Sequence, residues 1–96
     1  MEITDFKQQD NYDTYKTWVC DKGFKISSYI ANDEQAKHGL KHGKPFYTAY
    51  YGVKTKTGHQ FGWHVNKSTP YYQTKTEAIE AINTYARVES WAFTLN

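Results

Sequence analysis

The clearest pattern of apolar and polar positions lies in the second half of the chain. HQFGWHVN (59–66) alternates strictly, with Phe61, Trp63 and Val65 at one parity and Gln60, Gly62, His64 and Asn66 at the other. A period of two predicts a strand with those sets on opposite faces. The preceding FYTAYYGVKT (46–55) predicts its partner, joined through KTKTG with Gly58 supplying the positive φ of the turn. KSTP (67–70) turns the chain again, and Tyr71-Tyr72-Gln73 predicts a short third strand. Thr74 then caps a helix, and Glu77 completes a T-x-x-E capping box. Ala78, Ile79, Ile82 and Tyr85 or Ala86 recur at helical spacing and predict its buried stripe over residues 75–87. Val88 ends this helix, and WAFTL after Ser90 predicts a final strand.

The first half carries a weaker signal. Residues 1–10 are polar and predict an irregular or briefly helical segment. Asp21-Lys22-Gly23 fits a hairpin loop with glycine in the left-handed position, pairing TYKTWVC with FKISSYI. Phe24, Ile26, Ser28 and Ile30 then share one face. The rival is a helix over 11–22 stopped by Gly23, with Tyr12, Tyr15 and Val19 on its buried side. Thr14, Tyr15, Thr17, Trp18 and Val19 all favour strands and tilt the reading to the hairpin. Asn32 predicts an N-cap, with Gln35 three residues on and Gly39 as a stop, and Pro45 ends the basic loop GLKHGKP. The predicted architecture is α+β: one domain over 1–96, a small antiparallel sheet with one main helix (residues 75–87) packed on one face, and the other face partly open.

Composition changes the picture of the core. Leu, Ile, Val and Phe together number 16 of 96 residues, while nine Tyr, five Phe and three Trp supply 17 rings. A few rings suffice for a small core. Nine tyrosines exceed what it can satisfy, so some lie at its edge or on the surface, as on a binding face. MEITDFKQQD has neither a basic n-region nor an apolar h-region, and no apolar run reaches 18 residues. These features predict a cytoplasmic protein without a membrane partner.

The net charge of +2 conceals a segregation. Residues 1–21 carry five acids and two lysines; residues 35–76 carry seven lysines, all four histidines and no acid. Phe46, Tyr47, Tyr50, Tyr51, Phe61, Trp63, Tyr71 and Tyr72 are interleaved with that basic run. Lysines neutralise phosphates and ring faces stack on bases, so the combination predicts a surface over residues 37–73 for nucleic acid or a nucleoprotein. Lys41, Lys44, Lys54, Lys56 and Lys67 are the candidate phosphate contacts, and Tyr50, His64 and Tyr71 the candidate stacking residues. Eleven of twelve basic residues are Lys, which suits backbone or shape recognition better than guanine readout. The acidic N-terminal segment is a candidate to fold over and screen this surface.

The stretch YTAYYGVKTKTGHQFGWHVNKSTPYYQTKTEAIEAI, with Tyr72 ending a short strand before Thr74, Glu77 and Ala78 open a helix, resembles a known module. It is similar to the three-stranded sheet plus helix of phage tyrosine-integrase arm-binding domains and ethylene-response-factor-type DNA-binding domains. The resemblance implies that the sheet face opposite the helix enters the DNA major groove. Those families read DNA with strand arginines; here Thr48, Tyr50, Gln60, His64 and Tyr71 hold the outward positions.

Catalytic and metal chemistry find little support. A single cysteine, Cys20, gives neither a disulfide framework nor a cysteine zinc site, and its neighbours do not mark an activated thiolate. His38 and His42 have i, i+4 spacing, but Gly39 intervenes and no neighbouring acid completes a site. His59 and His64 fall on opposite faces of a strand. The expectation is a non-enzymatic binding protein without cofactor or metal. The alternative partner is an anionic host protein complex, bound by a small inhibitor or adaptor of the phage or mobile-element type. A third reading is an RNase toxin using His64, Tyr50, Lys41 and Arg87.

Overall fold

A computed structural model describes residues 1–37 and 39–95, with side chains described to Val88 except that of Gln35. After a 3-10 turn at Ile3–Asp5 come β1 (Phe6–Asn11), β2 (Tyr15–Cys20), β3 (Phe24–Ile30), α1 (Asp33–Ala36), β4 (Pro45–Thr55), β5 (Gly58–His64) and α2 (Lys75–Leu95). The strands form one antiparallel sheet in the order β1-β2-β3-β4-β5, with α2 packed against it. The architecture is therefore α+β, as the sequence predicts.

The hairpin of β2 and β3 forms around Gly23, whose φ of 95° requires glycine. Asn32 caps α1, its Oδ1 accepting from the Glu34 N–H at 2.9 Å. Thr74 caps α2 through its Oγ1, which accepts from the Glu77 N–H at 3.1 Å. The Glu77 carboxylate reaches back to the Gln73 N–H, one residue before the position expected for a capping box. Ala78, Ile79 and Ile82 are buried on α2, with Tyr85 and Ala86 packed beside them against Phe24, Ile26 and Ala49 of the sheet.

Four expectations are corrected. Residues 6–11 form a strand, not an irregular segment. FKQQDN has one buried apolar residue, Phe6, and is extended because it pairs with β2, with Gln9 as an extra residue. WAFTL is not a strand; α2 continues through Leu95, because no Gly or Pro interrupts 75–95 and elongating an existing helix is easier than starting a new element. Tyr72 makes a single bridge to Tyr47, closed by two 2.8 Å backbone hydrogen bonds, rather than a third strand. The strict alternation of 59–66 breaks at Gly62. Tyr51 opposes Trp63 and Gly52 opposes Phe61, so Gly62 is the extra residue of a β-bulge.

That bulge reverses parity within β5. Trp63 stacks on Tyr51, which stacks on Tyr85 of α2, so Trp63 faces the helix. Phe61 lies against Gly52 on the other face, where a Cβ on Gly52 would meet the Phe61 ring at 2.8 Å. His59 stacks on Phe61, and His64 meets Tyr50, so both histidines share that face rather than opposing one another. Gln60, expected outward, turns to the other parity.

Among the described residues, no helix is long and apolar enough to cross a membrane.

Candidate nucleic-acid interface

The face opposite α2 is built in rows across the strands. Register places Tyr15, Tyr29 and Phe46 in one row, Thr17, Ser27 and Thr48 in the next, and Val19, Lys25, Tyr50 and His64 in the third. The middle row is a floor of hydroxyls, with Thr17 at 0%, Ser27 at 1% and Thr48 at 2% exposure. Short side chains sink between two rows of large ones. The rings lean on one another along the first row: Tyr15 and Tyr29 have centroids 5.1 Å apart, Tyr29 and Phe46 5.6 Å, and Tyr71 meets Phe46 edge-on at 5.3 Å.

The floor is bonded unevenly. The Thr17 hydroxyl donates to the Asp10 carboxylate at 2.8 Å and accepts from the Asp10 N–H at 3.1 Å. At the other end, Thr48 Oγ1 is buried without a well-formed hydrogen bond, and so is His64 Nδ1. Burial pushes the His64 imidazole below its usual range, so the ring is held neutral near neutral pH. Burial raises the Tyr50 phenol, and burial with the nearby Tyr15 raises Tyr29, so both hydroxyls stay protonated. Tyr29 and Tyr50 approach each other through these hydroxyls.

Two clefts flank the Tyr29–Tyr50 pair. One, of about 230 Å³, is lined by Tyr29, Phe46, Thr48, Tyr50, His64 and Tyr71. The other, of about 270 Å³, is lined by Tyr15, Lys25, Ser27, Tyr29, Tyr50, Phe61 and Gly62. The three expected stacking residues, Tyr50, His64 and Tyr71, thus meet in one cleft. Tyr29 and Phe46 join them there, while Tyr15 and Lys25 line the neighbouring cleft; sequence reasoning did not place these four in the site, and the signal available was the hairpin register, which puts Lys25 opposite Tyr50 and Tyr29 opposite Phe46.

The five expected lysines do not form one cluster. Lys41 and Lys44 are exposed in the loop before β4. Leu40 pins that loop against Ala31 and Phe46, beside Tyr29 and Tyr71. Lys54 lies near the far end of β4 at the parity of Tyr50, and Lys56 in the following turn. Lys44 and Lys54 are ten residues apart, about 34 Å along an extended strand. Lys67 is exposed in the loop after β5, whose Asn66 and Thr69 face Ala81 and Tyr85 on the helix side.

The remaining groups are dispersed. Arg87 is exposed on α2, in the layer opposite His64 and Tyr50. His42 has an acidic neighbour after all, its Nε2 lying 3.3 Å from Asp33 on the surface; His38 lies outside the described residues. Among the described residues no three His, Cys, Asp or Glu side chains converge as a metal site. Cys20 is buried, its Sγ 3.8 Å from the Met1 sulfur. The N-terminal residue docks on α2, its amine bonded to Asn83 Oδ1 and its carbonyl accepting from Asn83 Nδ2 at 2.9 Å. That end therefore lies on the helix side and not over the basic loop. Comparison with protein-family models, with curated proteins and with solved structures gave no match, so the chemistry of this face rests on its own geometry.

Proposed function

We propose that the chain is a non-enzymatic binding protein that holds single-stranded nucleic acid across the open sheet face. The observation that carries this reading is the set of partly exposed rings Tyr71, His64, Tyr50 and Phe61 on the open face, with the exposed Lys41–Lys44 loop before β4 and Lys54 and Lys56 at its far end. Half-buried rings offer stacking surfaces, and stacking tolerates any base. Lysines at both ends suit a backbone entering and leaving. Register gives the face three lysines, Lys7, Lys25 and Lys54, against one carboxylate, Asp10, which the Thr17 hydroxyl already engages. Short hydroxyls and rings suit splayed bases; a duplex groove calls for long protruding donors such as arginine.

Anisotropy titration of labelled single-stranded DNA, single-stranded RNA and duplex tests the reading. At about 20–50 mM salt both single strands bind more tightly than duplex, and log K falls against log salt with a slope of about −0.7 per phosphate contacted. Tyr50→Ala weakens single-strand binding about fivefold or more. Duplex binding equal to or tighter than single-strand binding, or no binding of any strand, rejects it.

A further inference from the structure

We infer that the two clefts beside the Tyr29–Tyr50 pair form a two-nucleotide site, one base entering each cleft and Lys25 meeting the phosphate between them. The inference rests on the reading of this face as a single-strand surface and adds its footprint, its polar contacts and a charge that the expected site residues omit.

Three observations carry it. The clefts are neighbours of similar size, about 230 and 270 Å³, and share only Tyr29 and Tyr50 as a common wall. A pair of ring-lined clefts with one wall between them matches successive bases on one strand, the way strand aromatics of other sheet-type RNA modules take two or three bases. Lys25 is the one cation in either lining. It stands directly opposite Tyr50 in the β3–β4 register, which puts its Cβ about 5 Å from that of the wall residue. A linkage crossing the wall therefore passes its ammonium.

The third observation separates the clefts chemically. Thr48 and His64 both line the Phe46–Tyr71 cleft; Thr48 Oγ1 and His64 Nδ1 are buried and neither makes a well-formed hydrogen bond, the Thr48 hydroxyl approaching the Tyr50 phenol. The Thr48 hydroxyl can donate or accept, and so can Nδ1 of a neutral imidazole, according to tautomer. The edge of a nucleobase supplies both donors and acceptors. Thr48 and His64 thus give this cleft hydrogen-bonding capacity that stacking alone does not use. Both atoms are covered in the free protein, so an entering base reaches them by turning side chains aside, a common adjustment at interfaces.

The test compares thymidine monophosphate, the dinucleotide dTpdT, the same dinucleotide with an uncharged methylphosphonate linkage, and a ten-nucleotide dT strand. Each is titrated into 15N-labelled protein at low salt. The site predicts that dTpdT binds about fivefold or more tightly than the monophosphate, with shifts at both clefts. The methylphosphonate loses most of that gain. Lys25→Gln removes the gain while Lys54→Gln keeps it, and Thr48→Val weakens dTpdT while lowering the melting temperature less than Thr17→Val does. If the ten-nucleotide strand binds but dTpdT gains nothing over the monophosphate, or Lys25→Gln acts no more strongly than Lys54→Gln, the two-nucleotide site is overturned and the broader reading stands. If no nucleotide or strand binds, both fall. Binding of a poly-glutamate peptide in place of the strands overturns both in favour of an acidic protein partner.

Discussion

The two faces of the sheet differ in what they bury. The helix face buries Phe6, Cys20, Phe24, Ile26 and Ala49 beneath Ala78, Ile79 and Ile82. Full burial of one such isoleucine contributes about 1.5–3 kcal/mol. The opposite face buries Phe46 beside Leu40 at one end, but its middle row is Thr17, Ser27 and Thr48, bordered by rings and by Asp10. Burying hydroxyls adds little when they are bonded and costs about 1–3 kcal/mol when they are not. One face is thus composed for stability; the other accepts polar groups where apolar ones would stabilise more. Half-buried rings beside buried hydroxyls are the feature on which the proposed single-strand binding rests.

The comparison breaks most visibly through the helix face. Ile82→Ala, at 0% exposure, lowers stability by about 2–5 kcal/mol in urea unfolding. The expected ligand effect of this variant is only the loss of folded protein; a loss of affinity in the fraction that remains folded would show that the faces are not separable.

The next effect sharpens the role of the bulge. Gly52→Ala places a Cβ 2.8 Å from the Gln60 carbonyl oxygen and the Phe61 ring, and destabilises by about 1–3 kcal/mol. Gly62→Ala meets nothing within 4 Å and leaves the melting temperature nearly unchanged. Equal costs at both positions would mean that the close approach of Phe61 to β4 is not what shapes this edge.

Within the open face, Thr17→Val loses two hydrogen bonds to Asp10 and costs about 1 kcal/mol. Thr48→Val removes a hydroxyl that approaches the Tyr50 phenol without a well-formed hydrogen bond, and costs less than Thr17→Val. Chemical denaturation of the pair measures how unevenly the floor is bonded.

The smallest effect is a pH dependence. His64 has a lowered folded pKa because it is buried, so the unfolded chain binds the proton more readily. The stability that this group contributes is complete above about pH 6.5 and falls as the pH drops below that value toward the folded pKa. His64→Gln flattens the slope in that window. Burial raises the folded pKa of Tyr29, Tyr50 and Tyr72, which gives the opposite sign at the alkaline end, with stability lost above about pH 10.

Legibility in the sequence followed the range of the interaction. The turn at Gly23, the cap at Thr74 and the stripe of Ala78, Ile79 and Ile82 are set by residues within a few positions of one another, and all are found where the pattern puts them. β1 was illegible because only Phe6 in FKQQDN is apolar, and its extended form comes from a partner strand. WAFTL misled because Trp91, Phe93 and Thr94 favour strands, whereas helical backbone already formed from Lys75 carries through it. Tyr50, His64 and Tyr71 were legible as ring chemistry in a basic run, but not as one cleft.

By itself the sequence determined the local punctuation of the chain, the stripe that α2 buries and the gathering of lysines and rings in its middle third. Tertiary structure decided which rings look outward. Alternation assigns a face only along an uninterrupted ladder, and the extra residue at Gly62 exists only in relation to β4. Past that residue Phe61 and Trp63 part to opposite sides, and the open face acquires Phe61 and His59, which a strictly alternating strand would have hidden from it.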